Sequence, residues 1–589
     1  MKRIVLFCLL VFCLVFSVTV SAQTSSIIWQ KSLGGSGDDR AYSVKQTTDG
    51  GYIVAGYTLS NNYDVSVNYG GADYLVVRLD SSGATIWKKT FGGSGDDKAY
   101  TVQQTTDGGY IVAGASNSAI VDVNGTLTSS GNHGNSDYWI VKLDTSGNIM
   151  WQKSLGGSGV DWAASIQQTT DGGYIVAGVS NSTTVDVNGT PTSSGNHGGY
   201  DYWVVKLTST GDITWQQSLG GAGDDRATSI QQTTDGKYIV AGTSSSTTVD
   251  INGIPTLSEN HGVGDYWVVK LDPSGTLLWQ KSLGGSRDEE AYSIQQTFDP
   301  TTHLPSGYIV AGYTDSDDST GDVTGHHHDG DYWIVKLSPD DPLFPNTAPS
   351  IQWQKSLGGN GLATGGNWAN SIQQVVDGGY IVAGNASSYA GDVTGHHGAD
   401  DVGNYDYWLV KLRPDDPLSL NTAPAIQWQK CLGGSDSDYA YSIQQTFDPT
   451  THLPSGYIVA GYSYSADDDV VPMTGDYGHH GNYDYWIVKL DTTLDDTTVI
   501  NEAVTKTADI SVYPNPTAGP FIVNFDGVTN TVITISNSAG QDIFSTEKLN
   551  SSSLKLDLSN NAKGLYFVTV QGEDKKGKPV KVTKKVTVR

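Results

Sequence analysis

The sequence predicts an all-β protein, and three observations predict it. One unit recurs seven times, its closing tryptophan standing at Trp29, Trp87, Trp151, Trp215, Trp279, Trp353 and Trp428. Each unit holds four short apolar runs, read from Ser229 to Leu283 as SIQQT, KYIVAG, DYWVVKL and LLWQKSL. They are rich in Val, Ile, Tyr and Trp and too short for helices, so they read as strands. Turn chemistry joins them in pairs: Asp107-Gly108 joins a first run to a second, and Asp272-Pro273-Ser274-Gly275 joins a third to a fourth. A fixed period decides the architecture before any local assignment. Seven units of four antiparallel strands predict a seven-bladed β-propeller over residues 23–490. A β-solenoid is the competing reading, but solenoid coils are shorter and seldom carry two tight hairpins each.

The unit resembles the kelch repeat. The residues that carry the resemblance are a strand ending in Ala241-Gly242, a tyrosine in the third strand (Tyr266) and a tryptophan opening the fourth (Trp279). The kelch double glycine is Ala-Gly here, and these units are longer. The resemblance implies that SIQQT is innermost and WQKSL outermost. Ile27 to Leu33 is then a fourth strand without a blade, and the seventh unit stops at Leu490 without its fourth strand. The N-terminal strand therefore closes the ring on the last blade, which leaves no open sheet edge.

In chain order, Lys2 and Arg3 precede an apolar run, Ile4 to Val20, that ends Val20-Ser21-Ala22. This reads as a secretory signal peptide over residues 1–22, cleaved before Gln23, with no membrane span thereafter. The competing reading, a transmembrane anchor, is borderline in length and wrongly flanked. Cys8 and Cys13 lie inside the apolar run, so the mature chain keeps only Cys431 and no internal disulfide can form. Packing must supply the stability. With 62 Asp+Glu against 34 Lys+Arg and a net charge of −28, the chain repels nucleic acid and anionic membranes. That charge also simply keeps a large β protein soluble. The fifth and seventh units share an insertion, FDPTTHLPSG, at Phe298 to Gly307 and Phe447 to Gly456. Pro339 to Pro349 and Pro414 to Pro424 lengthen two other hairpins. No chemistry is assigned to these insertions.

Residues 491–509 are Thr- and Asp-rich without apolar periodicity and read as a linker. From 510 to 589 the tryptophans cease and alternating runs return (FIVNF, TVITISN, LKLDLS, GLYFVTV, VKVTKKVTV), predicting a small β-sandwich-like domain. Tyr513-Pro514-Asn515-Pro516-Thr517, then Gly519 and Phe521-Ile522-Val523, are similar to the opening of the type A C-terminal sorting domain of the type IX secretion system of Bacteroidota. Gly564-Leu565-Tyr566-Phe567-Val568 matches its later Gly-x-Tyr-x-Val element, and the basic end Lys581 to Arg589 fits it too. The resemblance implies contact with the secretion machinery and export across the outer membrane. It also implies removal of the domain, followed by release or attachment at the surface of a Gram-negative cell.

Strand alternation puts the two tight hairpins of each blade on one face and the two polar loops on the other. The long polar loop repeats Asp, Gly, His and Asp: Asp122, Gly125, His133 and Asp137; Asp322, Gly325, His326 and Asp331; Asp392, Gly395, His396 and Asp406. The six aspartates are candidate metal ligands. Oxygen-rich loops suit Ca²⁺ and histidines suit a transition metal, while short polar side chains also bond their own turns. Asp122-Val123-Asn124-Gly125 is only a fragment of an EF-hand-like run.

Thirteen of the 15 Trp repeat at strand positions and read as packing between blades. The other two, Trp162 and Trp368, share a slot before a constant alanine that elsewhere holds Arg40, Lys98, Arg226, Glu290 and Tyr439. The residue before that slot is nearly always acidic, which fits loop structure or a metal. The slot itself varies freely, so Trp162, Trp368, Tyr439, Arg40, Lys98 and Arg226 are candidate ligand contacts. Sugar rings stack on aromatic faces, so a glycan is the first expectation; packing of each Trp on its own loop competes with it. No nucleophile elbow and no His-Glu-x-x-His occurs. Acidic residues in every unit leave a glycosidase pair open. The expectation is a binding or adhesion module rather than an enzyme; a glycan-degrading enzyme and a purely structural surface protein are the alternatives.

Overall fold

A computed structural model describes residues 27–588, apart from 252–253, 258–259, 318–320, 328–329, 360–365, 389, 398–403, 417–418, 471–479, 496–508, 514–519, 527, 538–541, 547–548, 550, 560, 562 and 575–578. The predicted signal peptide lies outside the described residues. The described residues are all-β, with one 3₁₀ turn at Thr492–Leu494 and no helix long and apolar enough to cross a membrane. The chain divides into two compact units, Met1–Thr497 and Thr498–Arg589.

The first unit holds seven four-stranded antiparallel sheets. One of them runs Asp225–Gln232, Tyr238–Ser244, Asp265–Leu271 and Leu277–Leu283, neighbours in space in that order. Six sheets follow this pattern with their own four consecutive long strands. The remaining sheet takes Asp438–Phe447, Pro454–Ser463 and Asp484–Leu490 from the end of the unit and Ile27–Leu33 from its start. The pairing there is antiparallel, with Lys31 opposite Ile487 and Leu33 opposite Tyr485.

Sequence pattern dictates this layering. The third strand, DYWVVKL or DYWIVKL in five of the sheets, is buried along its whole length because both of its faces meet neighbouring sheets. Such a strand must read as a continuous apolar run rather than an alternating one. Trp139, Trp203, Trp267, Trp333, Trp408 and Trp486 are fully buried here. Each core spans two sheets: Ile175, Tyr202 and Leu219 of one pack with Ile230, Val240 and Trp267 of the next. The core that holds Leu33, Ile458 and Tyr485 also holds Val44, Val54 and Val77 from the first sheet. A tyrosine hydroxyl crosses every such junction. Tyr202 donates to the Trp267 carbonyl at 2.8 Å, and Tyr485 donates to that of Leu75 at 2.9 Å.

Two differences from the sequence reading stand out. The long polar loop of three units contains a small hairpin, as at Ile120–Val123 with Thr126–Ser129. Its turn residues Asn124 (φ 54°) and Gly125 (φ 86°) are both left-handed, the geometry of a type I′ turn. The fragment read as EF-hand-like is therefore a hairpin turn. The second difference is the start of the linker. Leu494 is buried in the core of the last sheet, and Asp495 accepts bonds from Trp428 Nε1 (3.0 Å) and Tyr457 Oη (2.8 Å). Asp340 and Asp415, inside the Pro-rich insertions, take the equivalent partners, a tryptophan of one sheet and a tyrosine of the next: Trp279 with Tyr308, and Trp353 with Tyr380. The Asp-Asp pairs at 340–341, 415–416 and 495–496 are one repeated feature.

The second unit contains a three-stranded sheet (Asp509–Tyr513, Pro520–Asp526, Ser553–Asp557) and a four-stranded one (Asp542–Ser545, Val528–Asn537, Gly564–Asp574, Pro579–Val588). Both contribute to one core, with Phe521, Val523 and Leu556 from the first and Ile533, Val568 and Val586 from the second.

Candidate functional site

The strand Asp39–Gln46 and its six counterparts in the other sheets of the first unit each begin with a β-bulge. Ala41 pairs with Gly56 and Ser43 with Ala55, so Tyr42 is the extra residue; Ala163/Ser165, Ala369/Ser371 and Ala440/Ser442 repeat this. A bulge advances the alternation by one residue. Ala41 and Val44 are therefore both core, while Arg40 and Tyr42 stay half-buried at the polar-loop end of the strand.

The bulges gather side chains from all seven sheets around one cavity of about 560 Å³. Trp162, Trp368 and Tyr439, singled out from the sequence, all line it. Tyr42, Tyr100, Tyr292 and Tyr441 line it too, with Thr228, Asn370, Asn385 and Tyr405. Sequence reasoning missed these. The signal was present, because the slot after the constant alanine varies as freely as the slot before it: Tyr42, Tyr100, Ala164, Thr228, Tyr292, Asn370, Tyr441.

Arg40, Lys98 and Arg226 do not line the cavity. Arg40 lies between the rings of Tyr462 and Tyr483 at 4.8 and 4.7 Å, Lys98 lies 5.3 Å from the ring of Tyr57, and Arg226 lies 4.9 Å from that of Tyr200. Each also pairs with the aspartate two residues before it: Asp38, Asp96 or Asp224. These cations hold the aromatic wall from behind. The wall is continuous on one side: Trp368 stacks on Tyr313 (5.5 Å, 19°) and meets Tyr405, which meets Tyr439 at 5.1 Å. Trp162 leans on Tyr200 at 5.6 Å. Each indole thus spends part of its surface on a tyrosine and presents part to the cavity. Burial pushes the Tyr100 hydroxyl up to about 12, and those of Tyr42, Tyr292, Tyr439 and Tyr441 upward as well. At neutral pH the cavity offers ring faces, neutral hydroxyls and amides.

The acidic residue before the variable slot builds the short polar loop. Asp39 accepts from Gly35 N and Ser60 Oγ, both at 2.7 Å, and Asp161 accepts from Gly157 N and Ser182 Oγ. The candidate metal ligands have similar duties. Asp137, Asp331 and Asp406 each accept from the backbone N–H of a histidine and meet its Nδ1 at 2.8–2.9 Å: His133, His327 and His397. Asp122 Oδ1 accepts from Gly125 N at 2.8 Å and so closes the hairpin turn. Asp322 and Asp392 donate backbone N–H groups to Gly284 and Gly358. Asp122, Asp137, Asp331 and Asp406 thus each use a carboxylate oxygen on their own loop, while the second oxygens of Asp137, Asp331 and Asp406 are buried without a hydrogen-bond partner among the described residues. Among the described residues, no three His, Cys, Asp or Glu side chains come together as a metal site.

In the second unit, Tyr513 ends the strand Asp509–Tyr513, Gly564 begins Gly564–Asp574, and Tyr566 is buried in the core. Pro514, Asn515, Pro516, Thr517 and Gly519 lie outside the described residues.

Residues 511–589 match the secretion system C-terminal sorting domain. This domain marks proteins that the type IX system of Bacteroidota sends to the cell surface or the extracellular space, and it engages the secretion machinery. No curated protein matches the chain. Among solved structures, the chain is similar to a fungal alcohol oxidase of the AA5 family in complex with copper (12% identity, 95% of this chain and 98% of that one, TM-score 0.37). It is also similar to a glycoside hydrolase of family 32 from Bifidobacterium adolescentis (9%, 95% and 95%, 0.25) and to a fructosyltransferase from A. japonicus (9%, 94% and 89%, 0.25). Likenesses of this degree carry no reading of chemistry.

Proposed function

We propose that the first unit is a closed seven-bladed β-propeller that works outside the cell as a binding module for glycans, with the aromatic cavity as its site. The carrying observation is convergence: Trp162, Trp368 and Tyr439, from three different sheets, line one cavity together with five further tyrosines. The C–H faces of a sugar ring pack on such walls, and the hydroxyls and amides of Tyr100, Thr228 and Asn370 can bond its polar edge. A glycosidase needs two carboxylates beside the bond it cleaves. The side chains lining this cavity are aromatic, hydroxyl, amide and methyl groups, which suit retention rather than hydrolysis. Ring closure is supported by the pairing of Ile27–Leu33 with Asp484–Leu490. In this reading residues 1–22 are a signal peptide, and the tail from 510 is removed after export.

The test is a glycan array probed with the parent and with the Trp162→Ala, Trp368→Ala double variant, with products analysed for cleavage. Loss of retention at an unchanged melting temperature is expected. Equal binding by a stable double variant refutes the site. Loss of stability instead assigns both indoles to packing, and released oligosaccharide favours the hydrolase reading.

A further inference from the structure

Deeper along the strand Asp39–Gln46 and its counterparts runs a second cavity of about 340 Å³. Six glutamines and one lysine occupy equivalent places in its wall: Gln103, Gln167, Gln231, Gln295, Gln373, Gln444 and Lys45. Each glutamine reaches across to the next sheet, where its Oε1 accepts a backbone N–H. Gln103 takes that of Gln168 (2.8 Å), Gln167 that of Gln232 (2.6 Å), Gln231 that of Gln296, Gln295 that of Gln374, Gln373 that of Gln445, and Gln444 that of Gln46 (each 2.7 Å).

These bonds fix the amide orientation, because only the oxygen can accept. Each of these oxygens therefore spends a lone pair on the next sheet, and the six NH₂ groups remain as donors, beside serine hydroxyls such as Ser43 and Ser229 that share the wall and can donate as well. None of these nitrogens is sealed away from the channel without a partner. At the seventh place Lys45 has no oxygen to offer, so it adds an ammonium and leaves the Gln104 N–H without the acceptor its counterparts have. No described carboxylate pairs with Lys45. Burial alone pulls its pKa down. A wall rich in donors, with one cation and no carboxylate among its lining residues, is complementary to an anion.

We infer that the channel is an oxyanion site, with Lys45 as its charged anchor and the Nε2 groups of the neighbouring glutamines as its hydrogen-bond donors. The ligand class is a sulfate, a phosphate or a carboxylate. The site is unusual for a chain of net charge −28, whose surface repels anions. Lys45 lies three residues from Tyr42 of the aromatic cavity, roughly 10 Å along an extended strand. The inference does not depend on what that cavity binds.

The experiment is titration calorimetry of the full chain with sodium sulfate, sodium phosphate and sodium acetate at constant ionic strength. The three probes separate tetrahedral anions from carboxylates. The variants are Lys45→Gln, which completes the ring of glutamines, and Lys45→Arg, which keeps the charge. The parent should bind at least one probe below about 20 mM; Lys45→Gln should weaken it by about tenfold or more, and Lys45→Arg should stay within that factor. Comparison with Lys45→Gln also removes the general stabilisation that sulfate gives any protein. No binding of the three probes by the parent overturns the inference, and so does binding by Lys45→Gln within about tenfold of the parent. Should Lys45→Gln fail to fold, crystals of the parent soaked in selenate decide the matter. An anomalous peak beside Lys45 Nζ supports the site, and a channel without one refutes it.

Discussion

Replacing Tyr485 by Phe tests whether the last sheet of the first unit packs on the first as every other pair packs. The seven equivalent tyrosines (Tyr74, Tyr138, Tyr202, Tyr266, Tyr332, Tyr407 and Tyr485) are fully buried, and each donates to a carbonyl of the next sheet at 2.8–2.9 Å. Removing one hydroxyl deletes a hydrogen bond and leaves a buried carbonyl less well satisfied, a cost of about 1–2 kcal/mol. A unit of roughly 470 residues unfolds with an entropy near 1 kcal/mol/K, so the expected fall in melting temperature is about 1–2 °C. Scanning calorimetry of Tyr485→Phe beside Tyr202→Phe reads the comparison, and the double variant should show nearly the sum because the sites are far apart. If Tyr202→Phe lowers the melting temperature and Tyr485→Phe does not, the ring is open in solution. If neither has an effect, the hydroxyl-to-carbonyl argument is wrong at every junction.

Stability should fall as pH rises from about 5 to 8. Burial pushes the carboxyls of Asp39 up to about 6, those of Asp73, Glu289 and Asp438 up to about 7, and that of Asp484 up to about 8. The folded state thus holds protons that the unfolded chain has lost above about pH 4, and this contribution disappears as pH passes the raised values. A melting temperature that is flat or rises across that range contradicts it. Gly125→Ala, at φ 86°, should cost about 1 kcal/mol or more through left-handed strain in the hairpin turn, readable by local hydrogen exchange; an unchanged exchange rate refutes the type I′ geometry. Removing residues 510–589 should leave the first unit folded but retained in the periplasm of a host carrying the type IX system. Surface display without the tail would count against the sorting role.

The sequence by itself determined the strand content, the order of strands within a sheet and the identity of the tail. Those features rest on local information: a period, runs of Val, Ile, Tyr and Trp, Asp-Gly turns and a short motif set. It also marked Trp162, Trp368 and Tyr439, because variation within a repeat shows which slots packing leaves free. What it could not determine was which free slots meet. Arg40, Lys98 and Trp162 share one slot in the sequence, yet only the indole reaches the cavity, since the cations turn back to Asp38, Asp96 and the tyrosine rings behind them. Likewise, Asp137, Asp331 and Asp406 each give one carboxylate oxygen to a histidine of their own loop and keep the other buried, a division that a linear spacing does not define. The ring of glutamine donors around Lys45 is tertiary in origin for the same reason. A glutamine shows its acceptor side or its donor side only once the neighbouring sheet has claimed one of them.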